Sequence, residues 1–110
     1  MAIIIIDAGS QYTHLIKRSF RDMDKEAEIV NAKEKYDTAG KKIENAERIV
    51  ISGGPSSVSE DKTSLARLVA EKVKAGTIAV PLLGICYGHQ MIAHVWGAKV
   101  EKGKSAEYGV

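Results

Sequence analysis

At 110 residues the chain holds one core at most. Sixteen basic against fourteen acidic side chains leave a formal charge of +2 and aromatics make up 5%, so neither a basic stripe nor a stacking platform for nucleic acid is present. The single cysteine excludes an internal disulfide, and the apolar start at Ala2 to Ile6 is too short for a signal peptide or a membrane span, which points to a cytoplasmic protein with no membrane partner.

Ala2 to Ile6 is a continuous, β-branched apolar run stopped by Asp7-Ala8-Gly9-Ser10, which predicts a strand buried on both faces and then a turn. Tyr12, Leu15, Ile16, Ser19, Phe20 and Met23 recur at helical spacing, opposite His14, Lys17, Arg18 and Arg21, so an amphipathic helix capped by Ser10 follows. Glu28 to Asn31 fits a short second strand. Asp37 to Asn45 is polar and reads as a loop with a turn or two of helix. Arg48 to Ser52 is a third strand, halted by Gly53-Gly54-Pro55-Ser56-Ser57. A helix carrying Leu65, Leu68, Val69 and Val73 on one face comes next, with Ser57 or Ser59 as possible caps and Gly76 as its stop. Ile78 to Ile85 is a fourth strand. Met91, Ile92, Val95 and Trp96 give a last helix that is apolar over most of its girth and is expected to be deeply buried. Ala98 to Glu101 can begin another strand.

Strands alternating with helices predict an α/β fold: an open, mostly parallel sheet with helices on both faces in three layers, incomplete at its carboxyl end. In such a sheet the ligand site lies beyond the carboxyl ends of the strands. The turns after the first, third and fourth strands can therefore meet at one crevice.

Cys86 stands at the strand-to-helix junction Gly84-Ile85-Cys86-Tyr87-Gly88. A lone cysteine is usually packing. Packing alone does not call for glycine at both −2 and +2, whereas a nucleophile on a tight bend does, because the flanking backbones come close. The N-terminal end of the following helix favours the thiolate. Attack on a carbonyl creates an oxyanion, for which the backbone N–H of Tyr87 is one donor and that of Gly54 a second candidate. Gly53-Gly54-Pro55 by itself is a plain turn; its position at the end of a neighbouring strand is what raises it. Asp7 to Ser10 is given a structural role. Gln90, four residues past Cys86, either holds a polar substrate group or is simply solvated.

A cysteine hydrolase also needs a base. His14 lies on the charged face of the first helix, His94 is about 12 Å along the last helix from Cys86, and His89 shares the elbow's own helix. None is well placed. No cofactor or metal motif is present.

The stretches Asp7 to Tyr12, Ser52 to Val58, Pro81 to Gln90 and Glu107-Tyr108-Gly109 resemble the class I glutamine amidotransferases, in particular the glutaminase part of the GMP synthetase branch, along the whole chain. The resemblance implies that Cys86 attacks the side-chain amide of glutamine, forming a γ-glutamyl thioester and releasing ammonia. It implies oxyanion donors at Gly54 and Tyr87 and a glutamine contact at Gln90. The family's His-x-Glu pair has no counterpart before Val110, so residues 1–110 correspond to the amino-terminal part of one glutamine amidotransferase domain and should be inactive alone. The implied partner is a separate ATP-dependent GMP synthetase (ATP pyrophosphatase) that works on xanthosine monophosphate. Ala8 departs from the family, which carries a bulkier residue there. A non-catalytic glutamine-binding or synthetase-docking module and an unrelated cysteine hydrolase are the competing readings.

Overall fold

The computed structural model describes residues 2–9, 13–53, 64–85 and 87–97, with Tyr87 described by its backbone alone. Four strands, β1 (Ile3–Asp7), β2 (Ala27–Asn31), β3 (Arg48–Ile51) and β4 (Leu82–Gly84), alternate with four helices, α1 (Thr13–Asp22), α2 (Tyr36–Glu44), α3 (Leu65–Lys74) and α4 (Tyr87–Val95). The sheet is parallel throughout the described residues, in the order β2-β1-β3-β4. This is the expected α/β architecture.

β1 is central because it can be nothing else: Ile3 to Ile6 are each at most 2% exposed, and alternate isoleucines serve opposite faces. Ile4 and Ile6 join Ile49 and Ile51 under α2, α3 and Met91 of α4, while Ile3, Ile5 and Val50 meet Ile16 and Phe20 of α1 on the other side. Helices thus cover both faces, and the crossovers leave β1 and β3 side by side at the point where the chain changes direction.

Several local expectations are corrected. In α1 Thr13 is buried and Ile16 and Phe20 are partly buried, whereas Leu15 is 54% exposed and Met23 lies past the helix end, 62% exposed. Leu15 sits about 200° around the helix from Thr13, and the buried Thr13 fixes which side faces the sheet. The polar segment expected to be mostly loop is the helix α2, held by Ala39, Gly40 and Ile43 against the core. α3 is capped by Ser64, whose hydroxyl accepts from the Arg67 N–H at 3.2 Å. Its buried face runs through Leu65, Ala66, Val69 and Ala70 and leaves Leu68 at the surface, because the two alanines allow the closer approach. The caps expected at Ser10, Ser57 or Ser59 and the strand at 98–101 lie outside the described residues.

β4 is three residues long rather than eight. Pro81 has no N–H to give a ladder, and the chain from Ile78 to Pro81 bends before it pairs. Leu83, paired with Val50, is 57% exposed. α4 is also less buried than its composition suggests: Gly88 and Met91 face the core, Ile92 and Val95 are partly covered, and Trp96 is 46% exposed.

Candidate active site

The register pairs Ile6 with Ile51 and Ile51 with Gly84, so three neighbouring strands end in one row. Beyond it the chain continues as Asp7-Ala8-Gly9, as Ser52-Gly53 and as Ile85. The described parts of the three turns expected to converge, 7–9, 52–53 and 84–85, all leave the carboxyl edge of the sheet from that row.

The β1 turn is built on Asp7. Its Oδ1 accepts from the Gly9 N–H at 2.8 Å, an Asx turn that Gly9 completes with φ +103°, and from the Thr13 hydroxyl at 3.0 Å. That is the structural role expected of this turn. Ser52 joins it to β3: its Oγ accepts from the Ala8 N–H at 3.1 Å and donates to the Gly53 carbonyl at 3.2 Å, with the Thr13 hydroxyl 3.4 Å away. Ser52 and Thr13 are both almost wholly buried.

The bend after β4 is tighter still. A Cβ on Gly84 would lie 2.4 Å from the Gly88 carbonyl carbon and 2.5 Å from the His89 nitrogen. One on Gly88 would lie 2.1 Å from the carbonyl oxygen of Ile51. Carbon atoms do not approach backbone that closely, so strand, helix and the end of β3 meet at these two positions only because neither carries a side chain. The Ile85 N–H donates to Ile51 O at 2.9 Å and the Gly88 N–H to Ile85 O at 3.0 Å, which closes the turn. Position 86 lies between these anchors, immediately before α4 starts at Tyr87.

Cys86 itself and Gly54 fall outside the described residues, as does the Tyr87 side chain. The Tyr87 backbone opens α4, and Gln90 is half-buried one helical turn past position 86. Of the histidines, His14 and His89 are exposed, and His94 sits in a groove with Arg67, Glu71 and Lys74 between α3 and α4. Among the described residues no cluster of three histidine, cysteine, aspartate or glutamate side chains is placed to hold a metal. Sequence reasoning misses Thr13 and reads Ser52 only as the end of a strand. The available signal is a hydroxyl at each of two positions that the pattern marks as buried, next to a turn.

Residues 4–110 match the family model of class-I glutamine amidotransferases. The chain belongs to that family. Among curated relatives, the GMP synthase [glutamine-hydrolyzing] of Wolbachia pipientis wMel is 42% identical over 98% of this chain, and that of Pyrobaculum aerophilum 43% identical over 97%. The chain spans about 20% of the length of each. Among solved structures, a GMP synthase component from Thermoplasma acidophilum superposes with a TM-score of 0.73 at 29% identity, covering 96% of this chain and 49% of its own. The amidotransferase resemblance read from the motifs is therefore correct, and so is its GMP synthase branch. The architecture agrees as well: the parallel sheet and its flanking helices are shared with the Thermoplasma protein.

Proposed function

We propose that the chain is the nucleophile-bearing, amino-terminal part of a glutaminase that supplies ammonia for the conversion of xanthosine monophosphate to GMP. The observation that carries the reading is the double steric exclusion at Gly84 and Gly88 around the lone cysteine. A sheet that sacrifices two side chains to make so sharp a turn is the setting in which a nucleophile is lifted over the strand ends.

In this reading the Cys86 thiolate, favoured by the N-terminal end of α4, attacks the side-chain amide carbon of glutamine. The tetrahedral oxyanion takes hydrogen bonds from the backbone N–H groups of Gly54 and Tyr87. The C–N bond breaks, the nitrogen gains a proton and leaves as ammonia, and water then frees glutamate from the γ-glutamyl thioester. Gln90 contacts the glutamine. The proton donor is a His-x-Glu pair outside these 110 residues, since His89 is turned to solvent and His94 is two turns down α4. No cofactor takes part. The partner is an ATP-dependent synthetase, no nucleic acid or membrane is involved, and the site of action is the cytoplasm. No described helix is long and apolar enough to cross a membrane.

An electrophilic glutamine analogue should label the full-length protein at Cys86, and Cys86→Ser should abolish the labelling. Label found on another residue would end the assignment. The 110-residue chain by itself should release little ammonia from glutamine; brisk turnover would show that His89 or His94 is the base after all.

A further inference from the structure

Thr13, Ile16 and Phe20 turn one side of α1 to the sheet, and Arg18 lies about 160° around the helix from Phe20. The exposed positions of α1 include three cations, Lys17, Arg18 and Arg21, against one acid, Asp22. Three cations elsewhere have found acids: Lys25 meets Glu47 at 3.5 Å, Lys42 meets Glu28 at 3.1 Å and Arg67 meets Glu71 at 3.7 Å. On α1 no ion pair forms among the described residues, although Arg18 and Asp22 stand at the i, i+4 spacing of one. Lys17 with Arg21 and Arg18 with Arg21, four and three residues apart, set like charges side by side, which weakens a helix standing in water. Beside them are Leu15, 54% exposed and three residues before Arg18, and Met23, 62% exposed just past the helix. Uncompensated arginines around exposed apolar side chains suit a protein interface and bring a solvated helix no gain.

The chemistry of this face limits its occupant. Nucleic acid on so short a surface needs a ring to stack on, and the aromatic side chain of α1, Phe20, is on the sheet side. An anionic membrane takes a helix by its apolar side, which α1 has given to Ile3, Ile5 and Val50. A second copy on a two-fold axis would set arginine against arginine. What remains is a different protein, with carboxylates for Arg18 and Arg21 and an apolar seat for Leu15. The chain covers about 20% of the GMP synthases it matches, so in those relatives most of the protein lies outside this fold. We propose that the outer face of α1 is the docking surface for the ATP-dependent synthetase, which meets Arg18 and Arg21 with an acidic patch. Thr13 ties the first turn of α1 to Asp7 at 3.0 Å, so a synthetase seated there stands beside the carboxyl edge of the sheet. The proposal rests on the glutaminase reading above and adds to it the surface that holds the consumer of the ammonia.

The test is Arg18→Glu with Arg21→Glu in the full-length protein and its synthetase, read as the ratio of glutamine-dependent to ammonia-supported GMP formation. Like charges brought together at an interface are strongly unfavourable, so the ratio should fall about 10-fold or more. Ammonia-supported synthesis, and labelling of Cys86 by an electrophilic glutamine analogue, should stay within about twofold of wild type, because neither needs the docked state. Arg18→Lys with Arg21→Lys keeps the charge and should hold the ratio within about threefold. Lys33→Glu with Lys35→Glu, an equal change of charge at exposed positions ahead of α2, should leave it unchanged. An unchanged ratio in the Arg18 and Arg21 reversal overturns the proposal. So does an equal fall in the Lys33 and Lys35 reversal, which makes net charge the cause, and so does a matching loss of ammonia-supported synthesis, which marks damage to the fold. Binding of wild type to anionic phospholipid vesicles or to single-stranded RNA, abolished by the arginine reversal while the ratio holds, gives the face to another partner and overturns it as well. Should the arginine reversal not fold, Leu15→Ser takes its place: a ratio about 3–10-fold lower supports the docking face, and a wild-type ratio refutes it. A wild-type protein that makes no GMP from glutamine removes the glutaminase reading itself, whereas a wild type that does, matched by its arginine reversal, removes this inference alone.

Discussion

Gly88→Ala should destabilise the protein by about 2 kcal/mol, although alanine is the better helix former by about 1 kcal/mol at an ordinary helical position. The added methyl would fall 2.1 Å from the oxygen and 2.7 Å from the carbon of the Ile51 carbonyl. That carbonyl cannot yield cheaply, for it accepts the Ile85 N–H at 2.9 Å in the middle of the bend. The alternative is for α4 to lift by about 1 Å, which unseats the fully buried Met91. Overpacking of this kind costs about 3 kcal/mol, so the clash outweighs the helix propensity. A lowered melting temperature is the stability readout. Activity should suffer more than stability, since a shift of about 1 Å at a reacting atom can cost about 10²-fold. Gly40→Ala is the comparison, also within a helix: the atoms nearest its methyl belong to the Tyr36 side chain, at 2.8 Å, rather than to backbone, so the change should cost less than Gly88→Ala. A Gly88→Ala protein as stable as wild type would mean that strand and helix do not meet as closely as described, and the elbow would lose its steric basis.

The contrast between these two glycines also shows what kind of information the sequence carries. Ile3 to Ile6 and Ile49 to Ile51 announce buried parallel strands because burial on both faces leaves no freedom in composition. Gly84 and Gly88 announce a bend for a similarly local reason. By contrast, α2 is hidden because one isoleucine, Ile43, and two residues with almost no side chain, Ala39 and Gly40, suffice to seat it. The periodicity of so small a face does not rise above the lysines around it. α1 and α3 are legible as helices, but the direction they face is not, since it is fixed by Thr13 in one and by Ala66 and Ala70 in the other, residues that a count of large apolar side chains ignores. β4 and α4 look more buried in sequence than in structure because hydrophobicity cannot say which neighbour covers a residue: Leu83 and Trp96 are apolar and exposed alike. The Asp7, Thr13 and Ser52 network needs three segments to be brought together by the register of β1 and β3 before it has any meaning.

On the proposed glutaminase reading, Cys86→Ala should lower glutamine-dependent GMP formation by about 10³-fold or more in the full-length protein, the loss expected when a nucleophile that forms a covalent intermediate is deleted. That factor corresponds to about 4 kcal/mol of transition-state stabilisation. If the function of the thiol is to release ammonia for a synthetase reaction elsewhere in the assembly, ammonium salt supplied in its place should support GMP formation at close to the wild-type rate. The fold gives a reason to expect so clean a separation. Among the described residues, the contacts at the bend run through Gly84, Ile85 and Gly88 and through atoms of Ile51, so truncating the side chain at position 86 leaves these in place. Cys86→Ser should be nearly as inactive, because a serine hydroxyl at a helix N-terminus remains protonated where a thiol ionises. Full glutamine-dependent activity in Cys86→Ala would place the nucleophile elsewhere. Loss of the ammonia-supported reaction together with the glutamine-dependent one would instead make the cysteine a packing residue whose removal damages the whole fold.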